Sequence, residues 1–191
     1  NHTIGLLMRG IMANLSRQKF SVGVFSFPQP KSIVSQFIAE HADQVTNLSL
    51  TSLETARQQI AHEELDILFY ADIGMDPLTN FLAFSRLAPV QCVTWGHPVT
   101  TGIKTIDYFV SSELIEPDNW EEHYCERLVR LKHMPTYYYT PEMTGPMKTR
   151  GDLGFGEATH LYLCPQSIFK IHPDCDEVLA QILRADGQGE I

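Results

Sequence analysis

Positive charge is scarce in this chain. Fourteen Lys and Arg stand against 23 Asp and Glu in 191 residues, a formal net charge of −9. That balance argues against nucleic acid and anionic membranes as partners held by bulk electrostatics, since both need a positive surface. A local anion site remains compatible with it. Cys-x-x-Cys pairs are absent: Cys92, Cys125, Cys164 and Cys175 are scattered, and Cys92 and Cys164 fall inside apolar strand-like runs. This suits reduced thiols in a cytoplasm better than a disulfide framework. No basic segment leads into an apolar run, and no apolar stretch is long enough to cross a bilayer, so a cytosolic chain is expected. The Walker sequence is missing, and Gly151, Gly154 and Gly156 are spaced G-x-x-G-x-G rather than as the dinucleotide fingerprint, so neither ATP nor NAD is indicated. His160, Cys164, His172 and Cys175 carry soft-ligand chemistry at a spacing that matches no zinc module. No metal and no cofactor are expected.

Apolar residues are plentiful. They make up 43% of the chain, with ten Phe and seven Tyr, against 19% charged residues, which is enough for a real core and argues against disorder. The stripe Ile4, Leu7, Met8, Ile11, Met12, Leu15 predicts a helix over 3–17. Phe20 to Phe27 reads as a strand stopped by Pro28 and Pro30, and Ile33, Phe37 and Ile38 suggest a second helix. The rhythm repeats with a weak strand at 44–48, a helix at 52–62, a strong strand at 65–70, a turn at Asp72 and Gly74, a helix at 76–87, and apolar strands at 89–95 and 106–110. Helices alternating with apolar strands predict a Rossmann-like parallel sheet covered on both faces, an α/β fold. From Glu113 to Glu126 there are six acids and no Lys or Arg, read as a solvated helix face without chemistry. A strand at 127–131 and a loop and linker over 134–156 follow. A strand at 160–164 and a helix at 173–184 then restart the pattern. The expected division is a Rossmann-like domain over 1–150 and the beginning of a second α/β domain over 151–191, with the remainder of that domain outside the chain.

The stretch Pro89–Gly102, P-V-Q-C-V-T-W-G-H-P-V-T-T-G, carries the first candidate site. A buried strand breaks there into Gly96, His97, Pro98, Thr100 and Thr101, beyond the carboxyl end where open α/β sheets bind ligands. His97 has the chemistry to polarise or deprotonate an acceptor or to bond a sugar hydroxyl, and equally to hold a bend. Asp72, ending the preceding strand, suits a hydroxyl ligand, a base or a turn former. Lys170 lies between a strand and a helix that Pro173 is placed to start as its first residue. Unpaired N–H groups, the helix dipole and an ammonium would then meet at one spot, a phosphate site in which a leaving diphosphate is stabilised. The alternative is a surface lysine beside a helix whose dipole is answered by Asp174, Asp176 and Glu177.

H-T-I-G-L-L at 2–7, L-D-I-L-F-Y-A-D-I-G-M-D at 65–76, L-A-P-V-Q-C-V-T-W-G-H-P-V-T-T-G at 87–102, I-D-Y-F-V-S-S-E at 106–113 and Q-S-I-F-K-I-H-P at 166–173, in this order, resemble the protein O-GlcNAc transferase and SPINDLY family of glycosyltransferases. The bacterial members with tetratricopeptide repeats are the nearest in pattern. The resemblance implies a GT-B architecture of two Rossmann-like domains, the second holding most of a nucleotide sugar. It implies a UDP-sugar donor carrying GlcNAc or a hexose, an acceptor protein or peptide, and no essential metal. His2 matches a histidine facing donor sugar and phosphates, and Gly96 a glycine whose backbone lies near the donor sugar. His97 stands where animal enzymes have tyrosine and bacterial asparagine-glucosylating relatives have histidine, which leaves the sugar open. Lys170 matches a pyrophosphate-binding lysine. The glutamine that accompanies it in animal enzymes falls on Ser167, with Gln166 one place away. The reading from another class is a binding module without catalysis, a scaffold or sugar-nucleotide sensor.

Overall fold

In a computed structural model of the chain, residues 3–28, 30–143 and 145–191 are described, so the candidate His2 lies outside the described residues. The chain forms two compact units, residues 1–140 and 141–191.

The first unit opens with helix α1 (Thr3–Asn14), shorter than its apolar stripe suggests. Asn14 ends it by turning its side-chain amide back onto the Gly10 carbonyl at 2.8 Å, a local bond that competes with further helix. Strand β1 (Gly23–Ser26) pairs in parallel with β2 (Gln44–Asn47) across helix α2 (Ile33–His41). Each later helix of this unit starts where a side-chain oxygen meets orphan N–H groups. Ser32 caps α2 in a reciprocal box with Ser35, Ser52 caps α3 (Leu53–His62), and Asp76 caps α4 (Pro77–Ala83) with proline at its first position.

Strands β3 (Ile67–Tyr70), β4 (Val90–Thr94), β5 (Tyr108–Ser112) and β6 (Arg127–Leu131) form one parallel sheet in sequential order. Tyr70, Val93, Phe109 and Leu128 stand in register across it, and this row packs on Ala56 and Ile60 of α3, Leu82 and Ala83 of α4, and Ile103 and Ile106. Phe109 is fully buried. At the amino edge the Arg86 guanidinium grips Asp107 with both nitrogens, and Asp107 also accepts the Gln91 N–H at 2.7 Å. The buried Gln91 side chain bridges the Leu87 N–H and the Thr105 carbonyl, so no polar atom of it is left unpaired there.

Several expectations need correction. α4 stops at Ala83, and the β4–β5 and β5–β6 crossovers contain no α-helix. Coverage of both faces holds for interior strand β4, where Gln91 and Val93 on one face and Cys92 and Thr94 on the other are all buried, but not for edge strand β3, whose Ile67 and Phe69 are 53% and 38% exposed. The acidic run is turns with one 3-10 turn at Trp120–His123 rather than a helix. Nor is it all solvated, since Glu126 is buried and Glu116 accepts hydrogen bonds from Ser111 and Tyr124. Burial, then the bond to Glu116, pushes the Tyr124 phenol up to about 12. Part of the expected linker is docked instead: Tyr137 donates its N–H to the Leu7 carbonyl at 3.1 Å and its ring fills the space where a Cβ on Gly10 would sit.

The second unit is a β-α-β segment in which β7 (His160–Leu161) and β8 (Gly189–Glu190) pair in parallel around helix α5 (Cys175–Ala185). β8 went unread because two residues carry no periodicity. β7 is shorter than its apolar run, and Cys164 lies beyond it and exposed. Pro173 does not start the helix. It stands two residues ahead of Cys175, with Asp174 as the boundary residue. Among the described residues no helix is long and apolar enough to cross a membrane.

Candidate functional site

The loop after β4 sits at the carboxyl edge of an interior strand, where a parallel sheet leaves a crevice between neighbouring turns. It interlocks with the turn after β3. A Cβ on Gly96 would lie 2.6 Å from the Ala71 carbonyl oxygen and 3.2 Å from Ile4 of α1, so glycine is required by the approach of backbone to backbone. His97 lies over Gly74, which has φ +87° and whose Cβ would meet the imidazole at 2.5 to 2.9 Å. Only glycine satisfies both the left-handed backbone and the ring above it. The Val99 N–H closes back onto the His97 carbonyl at 2.9 Å, a three-residue turn whose centre, Pro98, has the φ such a turn needs. Asp72 opens the β3 turn, its carbonyl accepting from Met75 at 3.0 Å.

Thr100 and Thr101 face inward, toward Glu126. The Thr100 hydroxyl donates to Glu126 Oε2 at 2.7 Å, and the Thr101 N–H donates to Oε1 at 2.7 Å, joined there by the Thr101 hydroxyl. Burial raises the Glu126 pKa, but the bonds from the two hydroxyls and the Thr101 N–H outweigh it and hold the carboxyl below its ordinary value. Sequence reading missed Glu126, since one buried acid among six neighbouring ones has no pattern of its own. The available signal was the adjacent pair Thr100-Thr101 after a strand, two donors in need of an acceptor.

In the second unit Gln166 and Lys170 line one cavity of about 290 Å³, together with Cys164, Cys175, Val178 and Leu179. Lys170 ends a 3-10 turn (Ile168–Lys170), its N–H bonded to the Ser167 carbonyl at 2.9 Å. The Gln166 side chain accepts the Ser167 N–H at 2.9 Å, while Ser167 is not among the lining residues. At the start of α5 the Cys175 and Asp176 N–H groups are already bonded to the His172 and Pro173 carbonyls. The free amides expected beside Lys170 are therefore fewer than a helix beginning at Pro173 would supply. The cavity's surface is almost wholly apolar, so an anion there would rely on the Lys170 ammonium and the Gln166 amide alone. Among the described residues no three His, Cys, Asp or Glu are grouped so as to hold a metal ion.

The architecture, parallel α/β layers with loops gathered at the carboxyl edge and a β-α-β segment following, is that of GT-B glycosyltransferases. The solved structure of a mutant of the Thermobaculum terrenum O-GlcNAc transferase shares it with a TM-score of 0.83 at 21% identity, over 99% of this chain and 35% of that one. The profile of glycosyl transferase family 41 matches residues 1–183, and the chain belongs to that family. A probable UDP-N-acetylglucosamine–peptide N-acetylglucosaminyltransferase of Arabidopsis thaliana, SEC, is 23% identical over 96% of this chain. The tomato (Solanum lycopersicum) SPINDLY protein is 37% identical over 52% of it. A UDP-glucose:protein N-beta-glucosyltransferase of Actinobacillus pleuropneumoniae is 35% identical over 50%. The matched regions are 20%, 10% and 15% of the length of those three relatives.

Proposed function

We propose that this chain is part of a glycosyltransferase that moves a sugar, GlcNAc or a hexose, from a UDP-sugar to a side chain of an acceptor protein. The observation that carries the reading is the family match over 1–183, in which both loops discussed above fall. Residues of the first unit serve the acceptor and the transferred sugar, with the Gly96 backbone beside the sugar. His97 takes the proton as a side-chain O–H or N–H of the acceptor bonds to the anomeric carbon, with His2 assisting. In the same step the bond from that carbon to the diphosphate oxygen breaks. The electron pair goes to the leaving diphosphate, whose charge is of the kind that a cation and an amide such as Lys170 and Gln166 of the second unit stabilise. Asp72 shapes the turn under His97. No metal is required, since an ammonium answers the leaving charge, and the thiols of Cys125, Cys164 and Cys175, all exposed and free, suit a cytoplasmic protein.

The test is an assay of the full-length protein with UDP-GlcNAc, UDP-glucose and GDP-fucose as competing donors and a cell-extract protein acceptor, with and without EDTA. Transfer from one of the UDP-sugars, indifferent to EDTA, is the expected outcome. No transfer from any donor, with intact UDP-sugar binding, would favour a sensor or scaffold instead.

A further inference from the structure

We propose that Glu126 is a positioning residue that sets the place of the Gly96–Gly102 loop, and through it of His97. This rests on the reading of that loop as part of the transfer site. Glu126 is the single Asp, Glu, Lys or Arg buried among the described residues, at 6% exposure. It immediately precedes β6, so it is carried by the sheet and not by another loop. Its carboxylate accepts three bonds, from the Thr100 hydroxyl, the Thr101 N–H and the Thr101 hydroxyl.

Each of those hydroxyls has one proton to donate, and Glu126 takes both. Each hydroxyl also accepts one backbone N–H, Thr100 that of Cys125 and Thr101 that of Ile103, each at 3.1 Å. Neither threonine has a hydroxyl proton left for a substrate. The pair is spent on anchoring, and the loop is held at two ends, by the wedge of Gly96 against Ala71 and by the Glu126 clamp. His97 and Pro98 lie between the two anchors, with the imidazole seated on Gly74. Releasing one anchor frees the segment that carries the imidazole, and a misplacement of about 1 Å in such a group lowers turnover by about a hundredfold.

The variants Glu126→Gln, Glu126→Asp and Glu126→Ala distinguish this from a merely structural role. Glutamine keeps an acceptor oxygen for Thr101 and can donate to Thr100, while the aspartate carboxylate is one methylene short and alanine removes the clamp. Amide hydrogen exchange on the 191-residue chain should show the Thr101 and Ile103 amides exchanging about tenfold or more faster in the Ala and Asp variants, with Val93 and Phe109 unchanged and Gln near the parent. In the full-length protein kcat should fall by about tenfold or more in Ala and Asp and return to within about threefold in Gln, with the donor KM little moved. Exchange that rises uniformly, or not at all, overturns the proposal. So does local loosening without loss of kcat. If the Ala variant does not fold, Thr101→Val keeps the side-chain shape and removes the hydroxyl's bond to Glu126 along with its acceptance of the Ile103 N–H, so the exchange of the Thr101 amide, whose own bond to Glu126 is retained, is the one read. Should the parent protein show no transfer, the functional reading fails, while the exchange arm still decides whether Glu126 holds the loop.

Discussion

Replacing Gly96 by alanine asks whether the close approach of two backbone turns is what organises the carboxyl edge. The new methyl would sit 2.6 Å from the Ala71 carbonyl oxygen, where ordinary contact begins near 3.4 Å. The obstacle is backbone anchored at the end of β3, so a side chain cannot swing aside to relieve it, and Ile4 closes the other flank at 3.2 Å. Overpacking of a site that cannot relax costs about 2–3 kcal/mol, which for a unit of this size lowers the melting temperature by about 6–12 °C. Both tryptophans, Trp95 and Trp120, belong to the first unit. Their fluorescence therefore follows this unit without contribution from the second, and Trp95 adjoins the substituted residue. Gly23→Ala, in β1 with nothing within 4 Å of its Cβ, is the control and should leave the transition within about 2 °C of the parent. If Gly96→Ala melted no lower than the Gly23→Ala control, the interlocking of the β3 and β4 turns would not be the constraint argued above.

Three other outcomes are expected. Phe109→Ala, at a fully buried position in the middle of the sheet, should lower unfolding free energy by about 3–5 kcal/mol in urea titrations followed by tryptophan fluorescence. The Arg86 guanidinium beside Asp107 holds that carboxyl below its ordinary range. The unfolded chain therefore binds the proton more readily, and the stabilisation present above the ordinary carboxylate range is lost as pH falls through the lowered pKa. Asp107→Asn should flatten the urea midpoint between about pH 5 and pH 2, and an unchanged acid slope would remove Asp107 from that account. In the full-length protein Lys170→Ala should cut turnover by about a hundredfold with the protein still folded, and near-normal turnover would dismiss the diphosphate role.

What the sequence determined by itself is what short-range chemistry controls. Apolar runs such as Leu65–Tyr70 and Val90–Thr94, separated by helix-period segments, specify parallel strands, since a strand needs only its own period and a crossover, while their order in the sheet is tertiary. Ser52 and Asp76 mark their helix starts because a cap acts within three residues. Gly96 and His97 were legible as a break at a strand's end, and Lys170 as a cation before a helix. Tertiary structure alone decided which polar residues are spent holding the fold. Glu126 looks like its acidic neighbours until the β4 loop brings two threonines onto it, 25 and 26 residues away in sequence. The need for glycine at position 74 comes from a histidine on another strand's loop, and the tyrosine run after β6 becomes part of the first unit through Gly10 of α1. Helix lengths were misjudged for the same reason, since α4 ends where Ala83 receives the Thr105 hydroxyl. Such contacts are set by where distant segments meet, and no window of a few residues contains both partners.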